Sequence, residues 1–171
     1  MPSLHPYTPA DREACLAIFD SNCPEFLHAD ERPDFESWLS KPEGTYLVLE
    51  MNHEIVACGG FAVEPEAPCL TLTWGLVHGD YHGRRLGTLL LLERLVRGLD
   101  AGGTTHAQLG TAPLTEAFFA RVGFKSLTRT PDGWAPGLDR VDMRLEWTPE
   151  SSSKLRRQLT DLRARISEAA L

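Results

Sequence analysis

The residues with the clearest chemical potential form one continuous segment, Leu76-Val77-His78-Gly79-Asp80-Tyr81-His82-Gly83-Arg84-Arg85-Leu86-Gly87-Thr88. It joins an apolar run to an apolar helix through a turn with glycines at 83 and 87. At a helix start, successive backbone N–H groups have no partner within the helix and carry the positive end of its dipole. They can together cradle an anion such as a pyrophosphate, and glycine lets backbone and phosphate approach closely. Glycine is also common at helix starts, so composition alone leaves a second reading open, a plain strand-to-helix turn.

The elements around this turn follow from the pattern of apolar residues. Upstream, Thr8-Pro9-Ala10-Asp11 is a helix start, with Thr8 as cap, Pro9 at the first helical position and Asp11 near the positive dipole end; this helix is predicted to run to Asp20. Asn22 to Arg32 is predicted as loop. Phe35, Trp38 and Leu39 give a short second helix between Pro33-Asp34 and Lys41-Pro42-Glu43-Gly44.

Three consecutive antiparallel strands are predicted at Thr45–Met51, Glu54–Val63 and Leu70–Val77, divided by Asn52-His53 and Pro65-Glu66-Ala67-Pro68. In the third, Leu70, Leu72, Trp74 and Leu76 alternate with Thr71, Thr73, Gly75 and Val77, which predicts one core face along its whole length. From Arg84 to Leu99 the period becomes helical, with Leu89, Leu92, Val96 and Leu99 on the apolar face and Arg94 and Arg97 directed elsewhere.

A strand at Ala107–Thr111, a helix at Thr115–Val122 stopped by Gly123, and a strand at Lys125–Thr130 follow. The strand, helix, strand order implies a parallel pair. Pro131 to Gly137 is predicted as a long loop. Val141, Met143, Leu145 and Trp147 alternate with polar residues and define the last strand. Beyond Thr148-Pro149, Leu155, Leu159, Leu162 and Ile166 recur at 4-3-4 spacing and make one amphipathic helix, which packs on its own domain or on a twin subunit in a homodimer; the spacing leaves both open.

Residues 1–148 are thus expected to be a single domain and 149–171 an appended helix, consistent with 171 residues in all. With 42% hydrophobic and 24% charged residues the chain is not intrinsically disordered. Its longest apolar runs, such as Leu89 to Leu92, fall far below the roughly 20 residues a membrane span needs. No secretory signal is readable in Met1-Pro2-Ser3-Leu4-His5-Pro6, so a cytoplasmic location is expected. The net charge of −7 disfavours nucleic acid as a partner. Cysteines 15, 23, 58 and 69 have no metal-ligand spacing and are expected to be free thiols, so no metal is expected.

The turn resembles the acetyl-CoA pyrophosphate loop of the GNAT superfamily of N-acetyltransferases, whose pattern is Arg or Gln, any two residues, Gly, any one, then Gly or Ala. Here the window is His82-Gly83-Arg84-Arg85-Leu86-Gly87. Val77 stands five residues ahead of it as in that family, Phe118-Phe119-Ala120-Arg121-Val122-Gly123-Phe124 is similar to the family's later aromatic and Gly-Phe segment, and the order of elements from Leu4 to Trp147 matches.

The resemblance implies an α/β (α+β mixed) sheet, with antiparallel N-terminal strands followed by a parallel strand-helix-strand cofactor unit, here with an extra C-terminal helix. It also implies acetyl-CoA as cosubstrate, contacted by Leu76, Val77, His82, Gly83, Arg84, Arg85, Leu86, Gly87, Thr88 and Phe119. The implied reaction is direct attack on the thioester by a primary amine of a small molecule or a protein, with a backbone N–H near Leu76 or Val77 polarising the carbonyl.

The chain departs from the pattern in places that bear on mechanism. His82 replaces the leading Arg or Gln, and Arg85 the middle Gly; backbone binding requires Arg85 to turn outward, where it could pair with a phosphate. Phe119 stands where a Tyr often acts as general acid, and Ala112 where an Asn is often found. Cys69 to Val77 holds no carboxylate, so the catalytic base is unassigned, with Glu25, Glu64, Glu66 and Asp139 as candidates that read equally as solvated carboxylates. His78, His82 and Tyr81 are given no acid–base role.

Glu25, Asp30, Glu31, Asp34 and Glu36 form an acidic segment that would draw a cationic amine, or simply a solvated loop. These departures also motivate an alternative, a non-catalytic CoA-binding sensor or interaction module.

Overall fold

The computed structural model describes residues 2–64 and 66–168; Met1, Pro65 of the predicted turn, and residues 169–171 of the tail lie outside them. Seven strands form one sheet in the order β1-β2-β3-β4-β5-β7-β6: β1 (Ser3–Pro6), β2 (Thr45–Met51), β3 (Glu54–Val63), β4 (Cys69–Val77), β5 (His106–Thr111), β6 (Lys125–Ala135) and β7 (Leu138–Glu146). Helices α1 (Arg12–Asp20), α2 (Arg32–Ser40), α3 (Leu86–Ala101), α4 (Pro113–Val122) and α5 (Pro149–Glu168) surround it.

The first helix begins as predicted, through a single turn of 3-10 helix at Pro9–Asp11 in which the Asp11 carboxylate accepts from the Thr8 backbone N–H at 2.7 Å. Asp11 therefore closes the cap from inside the turn. The edge strand β1 was not legible, being four residues that end in Pro6. It adds to β2 in antiparallel register, Leu4 opposite Leu49.

Both faces of the sheet are covered, and the period-2 rule divides β2 between them. Tyr46 and Val48 join Phe19, Phe35 and Leu39 under α1 and α2, while Leu47 and Leu49 join Leu90, Leu91 and Leu95 of α3 on the other face. The pairs β2–β3 and β3–β4 are antiparallel as predicted, and β4 meets β5 in parallel, as the resemblance implies. The next crossover differs: β7 lies between β5 and β6, so β6 pairs only with β7.

The strict alternation predicted for β4 fails at its middle. Gly60 pairs with Thr73 but Cys58 pairs with Leu76, so one residue of β3 faces two of β4, and Trp74 takes φ +37°. This bulge exchanges the faces. Leu70 and Leu72 pack under α3, whereas Trp74 and Leu76 pack under α1 and α2, and Val77 returns to the α3 side. A second correction concerns Arg94, which is 4% exposed and meets the sheet instead of pointing away from it. Arg97 remains at the surface, paired with Glu93.

A third correction lies at Pro131–Gly137. Instead of a long loop, β6 continues to Ala135 and turns tightly into β7, with irregular pairing between Thr130 and Ala135 that accommodates the extra residues. The tail helix α5 lies along α3 of its own chain. Leu155, Leu159 and Leu162 are buried there, each worth about 1.5–3 kcal/mol. Arg163 Nε donates to the buried Glu93 carboxylate at 2.8 Å, and Arg156 to Asp100 at 2.6 Å.

Candidate active site

β4 and β5 pair only at Cys69–Thr71 with His106–Gln108. Beyond that point the bulge carries β4 away, and the two parallel strands open into a notch toward their C-terminal ends. Open parallel sheets bind ligands at such ends. The notch leads directly to the turn before α3.

Two left-handed residues shape that turn, Gly83 at φ +76° and Arg85 at φ +62°. A non-glycine residue in this region is uncommon and strained, so Arg85 occupies a conformation better suited to the glycine of the family pattern. The first intrahelical bond runs from Leu89 N–H to Arg85 O at 3.0 Å. The amides of Leu86, Gly87 and Thr88 therefore precede any helical partner and remain available to an anion. Gly83 has open space around its Cβ position, and a Cβ on Gly87 would sit 3.5 Å from Val77 and 3.6 Å from the Phe118 ring. Arg85 is exposed, as an outward turn requires, while Arg84 lies over the Tyr81 ring at 4.8 Å.

The other residues of the segment have definite tasks. His82 Nε2 lies 2.9 Å from Val77 O, which ties the turn to the end of β4. His78 accepts from Asp80 N–H at 3.3 Å. Tyr81 donates to Glu54 at 2.8 Å, and that carboxylate pushes the phenol above its ordinary range. Leu76 packs under α1 and α2 and Val77 under α3, so the strand end between them is held from both faces. Phe119 meets Phe118 and Phe124 edge-on at 5.0 and 6.0 Å. Phe118, not Phe119, is the ring nearest Gly87, and its neighbouring position in the same aromatic pair hid it in the sequence.

A pocket of about 320 Å³ lies beyond the end of β5, lined by Glu25, Phe26, Ala112, Pro113, Leu114, Thr115, Gly137, Leu138 and Asp139. It brings together two of the four candidate carboxylates, Glu25 from the loop after α1 and Asp139 from the start of β7. Asp139 already accepts from Asp132 N–H at 3.2 Å, whereas Glu25 is exposed and makes no hydrogen bond among the described residues. Glu64 is bound by Thr71 Oγ1 at 2.8 Å, at the opposite end of β4 from the turn, roughly 20 Å along the strand at ~3.3 Å per residue. Glu66 is exposed on the same side.

The loop carrying Glu25 is held to the turn by residues that the sequence did not single out. Asn22, 5% exposed, donates to Ile18 O at 2.7 Å and Val77 O at 2.9 Å, and Ser21 Oγ accepts from Gly79 N–H at 3.0 Å. Phe26 lines the pocket and meets the His82 ring edge-on at 5.2 Å, so pocket and turn share a wall. Across the pocket, Trp134 Nε1 donates to Thr111 O at 3.1 Å and Arg140 stacks on its ring at 4.7 Å, which fastens the β6–β7 hairpin to the end of β5.

The acidic segment does not act as one cluster. Glu36 is held by Arg12 and Arg32, and the Arg12 hydrogen bond keeps its carboxyl below the ordinary range. Glu31 accepts from His28 N–H at 2.8 Å, and Asp30 lies 3.3 Å from His28 Nδ1. Only Glu25 of the segment reaches the pocket. Among the described residues no group of His, Cys, Asp and Glu is arranged to hold a metal, and all four cysteines are free.

A sequence model of the Acetyltransferase (GNAT) family matches residues 12–124. No curated protein matches the chain by sequence. Among solved structures, the ribosomal-protein-S18-alanine N-acetyltransferase of Escherichia coli superposes with a TM-score of 0.70 at 22% identity, covering 85% of this chain and 94% of its own. An aminoglycoside 6′-N-acetyltransferase complexed with coenzyme A gives 0.70 at 14% identity, over 86% and 98%. An acetyltransferase from Staphylococcus aureus Mu50 gives 0.67 at 19% identity, over 86% and 100%. These likenesses establish a shared fold.

Proposed function

Because the chain belongs to the GNAT family of acetyltransferases, we propose that it transfers the acetyl group of acetyl-CoA to a primary amine seated in the Glu25–Asp139 pocket. The observation that carries this reading is the junction of the β4–β5 notch with the turn at Gly83–Thr88, where free amides end a slot of the right polarity for a pyrophosphate. The residues present fit the group: Gly83 opens onto empty space, Gly87 leaves only ordinary contact distances, and Arg85 is turned outward, free to meet a phosphate.

In this reading the amides of Leu86, Gly87 and Thr88 bind pyrophosphate oxygens, with Gly83 allowing close approach and Arg84 and Arg85 adding charge. His82 acts through its bond to Val77 O, keeping turn and strand in register. Phe118 and Phe119 wall the notch from α4. The backbone N–H at Leu76 or Val77 donates to the thioester carbonyl oxygen as negative charge grows there. Acetyl-CoA supplies an acyl group activated by a thiolate that leaves readily near neutral pH. Phe119 therefore need not act as an acid.

Glu25 takes the proton of the attacking amine, directly or through one water, since it is the pocket carboxylate with no other engagement. Its charge also attracts the protonated amine from solution. Phe26, Leu114 and Leu138 favour an amine with an apolar body, whether a small molecule or the end of a peptide. Release of free thiol from acetyl-CoA with tyramine, benzylamine, spermidine and an alanyl peptide tests the proposal. Amine-dependent release supports it. Acetyl-CoA binding without release by any of them favours the second reading, a non-catalytic CoA-binding module, which the proton-free Phe119 and the absence of a carboxylate on β4 motivate.

A further inference from the structure

Arg94 is buried to 4% exposure on the sheet-facing side of α3, yet it forms no salt bridge among the described residues. Its hydrogen bonds go to main-chain carbonyls: Nε to Leu90 O at 3.3 Å, and Nη1 to Gly60 O at 3.3 Å and Thr73 O at 3.4 Å. Burial pulls its pKa down to about 10, and a buried cation without a counter-ion costs several kcal/mol unless something compensates. Space has been cleared for it: a Cβ on Gly59 would lie 3.0 Å from the guanidinium, and one on Gly75 only 2.6 Å from Nη2.

These contacts coincide with the β4 bulge. Gly60 and Thr73 are the last regular pair before it, and Gly59 faces the two residues Trp74 and Gly75. A bulge disrupts the ladder locally, and buried carbonyls left there need donors from elsewhere. The planar guanidinium supplies them from the α3 side. Tyr46 does the same from the other face, its hydroxyl donating to Trp74 O at 3.1 Å. The bulge is what turns β4 away from β5 and re-aims the backbone from Trp74 to Val77.

We propose that Arg94 is a positioning residue for acetyl transfer, holding the β4 bulge so that the Leu76 and Val77 amides face the thioester. This rests on the acetyl-transfer reading above. The pyrophosphate turn lies beyond the bulge and does not touch Arg94, so the two contributions separate.

The test compares wild type, Arg94→Met, Arg94→Lys and Gly75→Ala in acetyl-CoA binding by calorimetry, thiol release with the best amine of the panel above, and amide hydrogen exchange over Trp74–Val77. Arg94→Met is expected to lower kcat roughly tenfold or more while changing the Kd for acetyl-CoA by less than about threefold, with Arg94→Lys recovering part of the loss. Exchange should rise at Trp74–Val77 and stay unchanged in β2. Gly75→Ala displaces the guanidinium without removing it, so it should show the same pattern and decides the matter if Arg94→Met does not fold. Wild-type kcat and exchange in the folded variants would overturn the proposal, and so would equal losses in kcat and in acetyl-CoA affinity, which indicate general loosening. Absence of turnover in wild type would instead sink the acetyl-transfer reading, while exchange at the bulge still reports whether Arg94 holds it.

Discussion

The turn before α3 and the pocket beyond β5 are neighbours that meet where Phe26 of the pocket touches the His82 ring of the turn, but they are built by different means. The turn is made of backbone: two left-handed residues, three free amides and a glycine under an aromatic ring, all within six residues of sequence. The pocket is made of side chains from the loop after α1, the start of α4 and the β6–β7 hairpin, which meet only when the sheet is complete. A site of backbone tolerates changes of side chain, which is how Arg85 can stand where the family has glycine. A site assembled from side chains changes with each of them, and so carries specificity.

Variants in one region should therefore leave the other's measurement unmoved. The largest effect is expected from Glu25→Gln, which should lower kcat roughly a hundredfold with the acetyl-CoA Kd unchanged, read by thiol release beside calorimetry. Asp139→Asn should cost less, since that carboxylate already receives the Asp132 amide. A change in acetyl-CoA affinity in Glu25→Gln would break the comparison.

Gly87→Glu makes the reverse test. Its Cβ meets only ordinary contacts, so the fold should stand while a carboxylate enters the proposed anion site and affinity falls at least about tenfold, ~1.4 kcal/mol. In Arg85→Gly, relief of the left-handed strain should raise stability by about 1 kcal/mol in chemical denaturation. The lost guanidinium should weaken acetyl-CoA binding by a factor of about three, with a shallower salt dependence.

The smallest effect concerns the support under the pocket. Cys15, on α1, is buried in the same cluster as Cys58, and the neighbouring Cys58 thiol and burial push its thiol well above its ordinary value of 9.0. A folded pKa raised above the unfolded one stabilises below the unfolded value and loses that contribution as pH rises past it. Thermal stability should therefore decline above about pH 9, and Cys15→Ala should flatten that decline in melts from about pH 8 to 10.5.

The same division explains what the sequence disclosed. Apart from the four-residue β1, strand and helix order through Val77, the turn and the final strand are legible because period-2 and period-3.6 patterns and glycine spacing are local. The face exchange in β4 was not, because Trp74 and Leu76 continue the apolar alternation even though the bulge has moved them to the opposite layer. The burial of Arg94 escapes local patterning for a related reason: it depends on Gly59 and Gly75, which lie on β3 and β4 and not on its own helix. Among the acidic residues, composition suggested one cluster, but Arg12 and Arg32 had already claimed Glu36, and only Glu25 was left at the pocket. Phe26 and Asn22 gave no local signal at all, since their roles come from contacts with His82 and Val77.

Calorimetric titration of the wild-type protein with acetyl-CoA puts the turn before α3 to the test without any knowledge of the amine. A single site with micromolar affinity and a raised melting temperature is expected. No heat and no thermal stabilisation would contradict it, showing that the turn before α3 is a plain strand-to-helix connection after all.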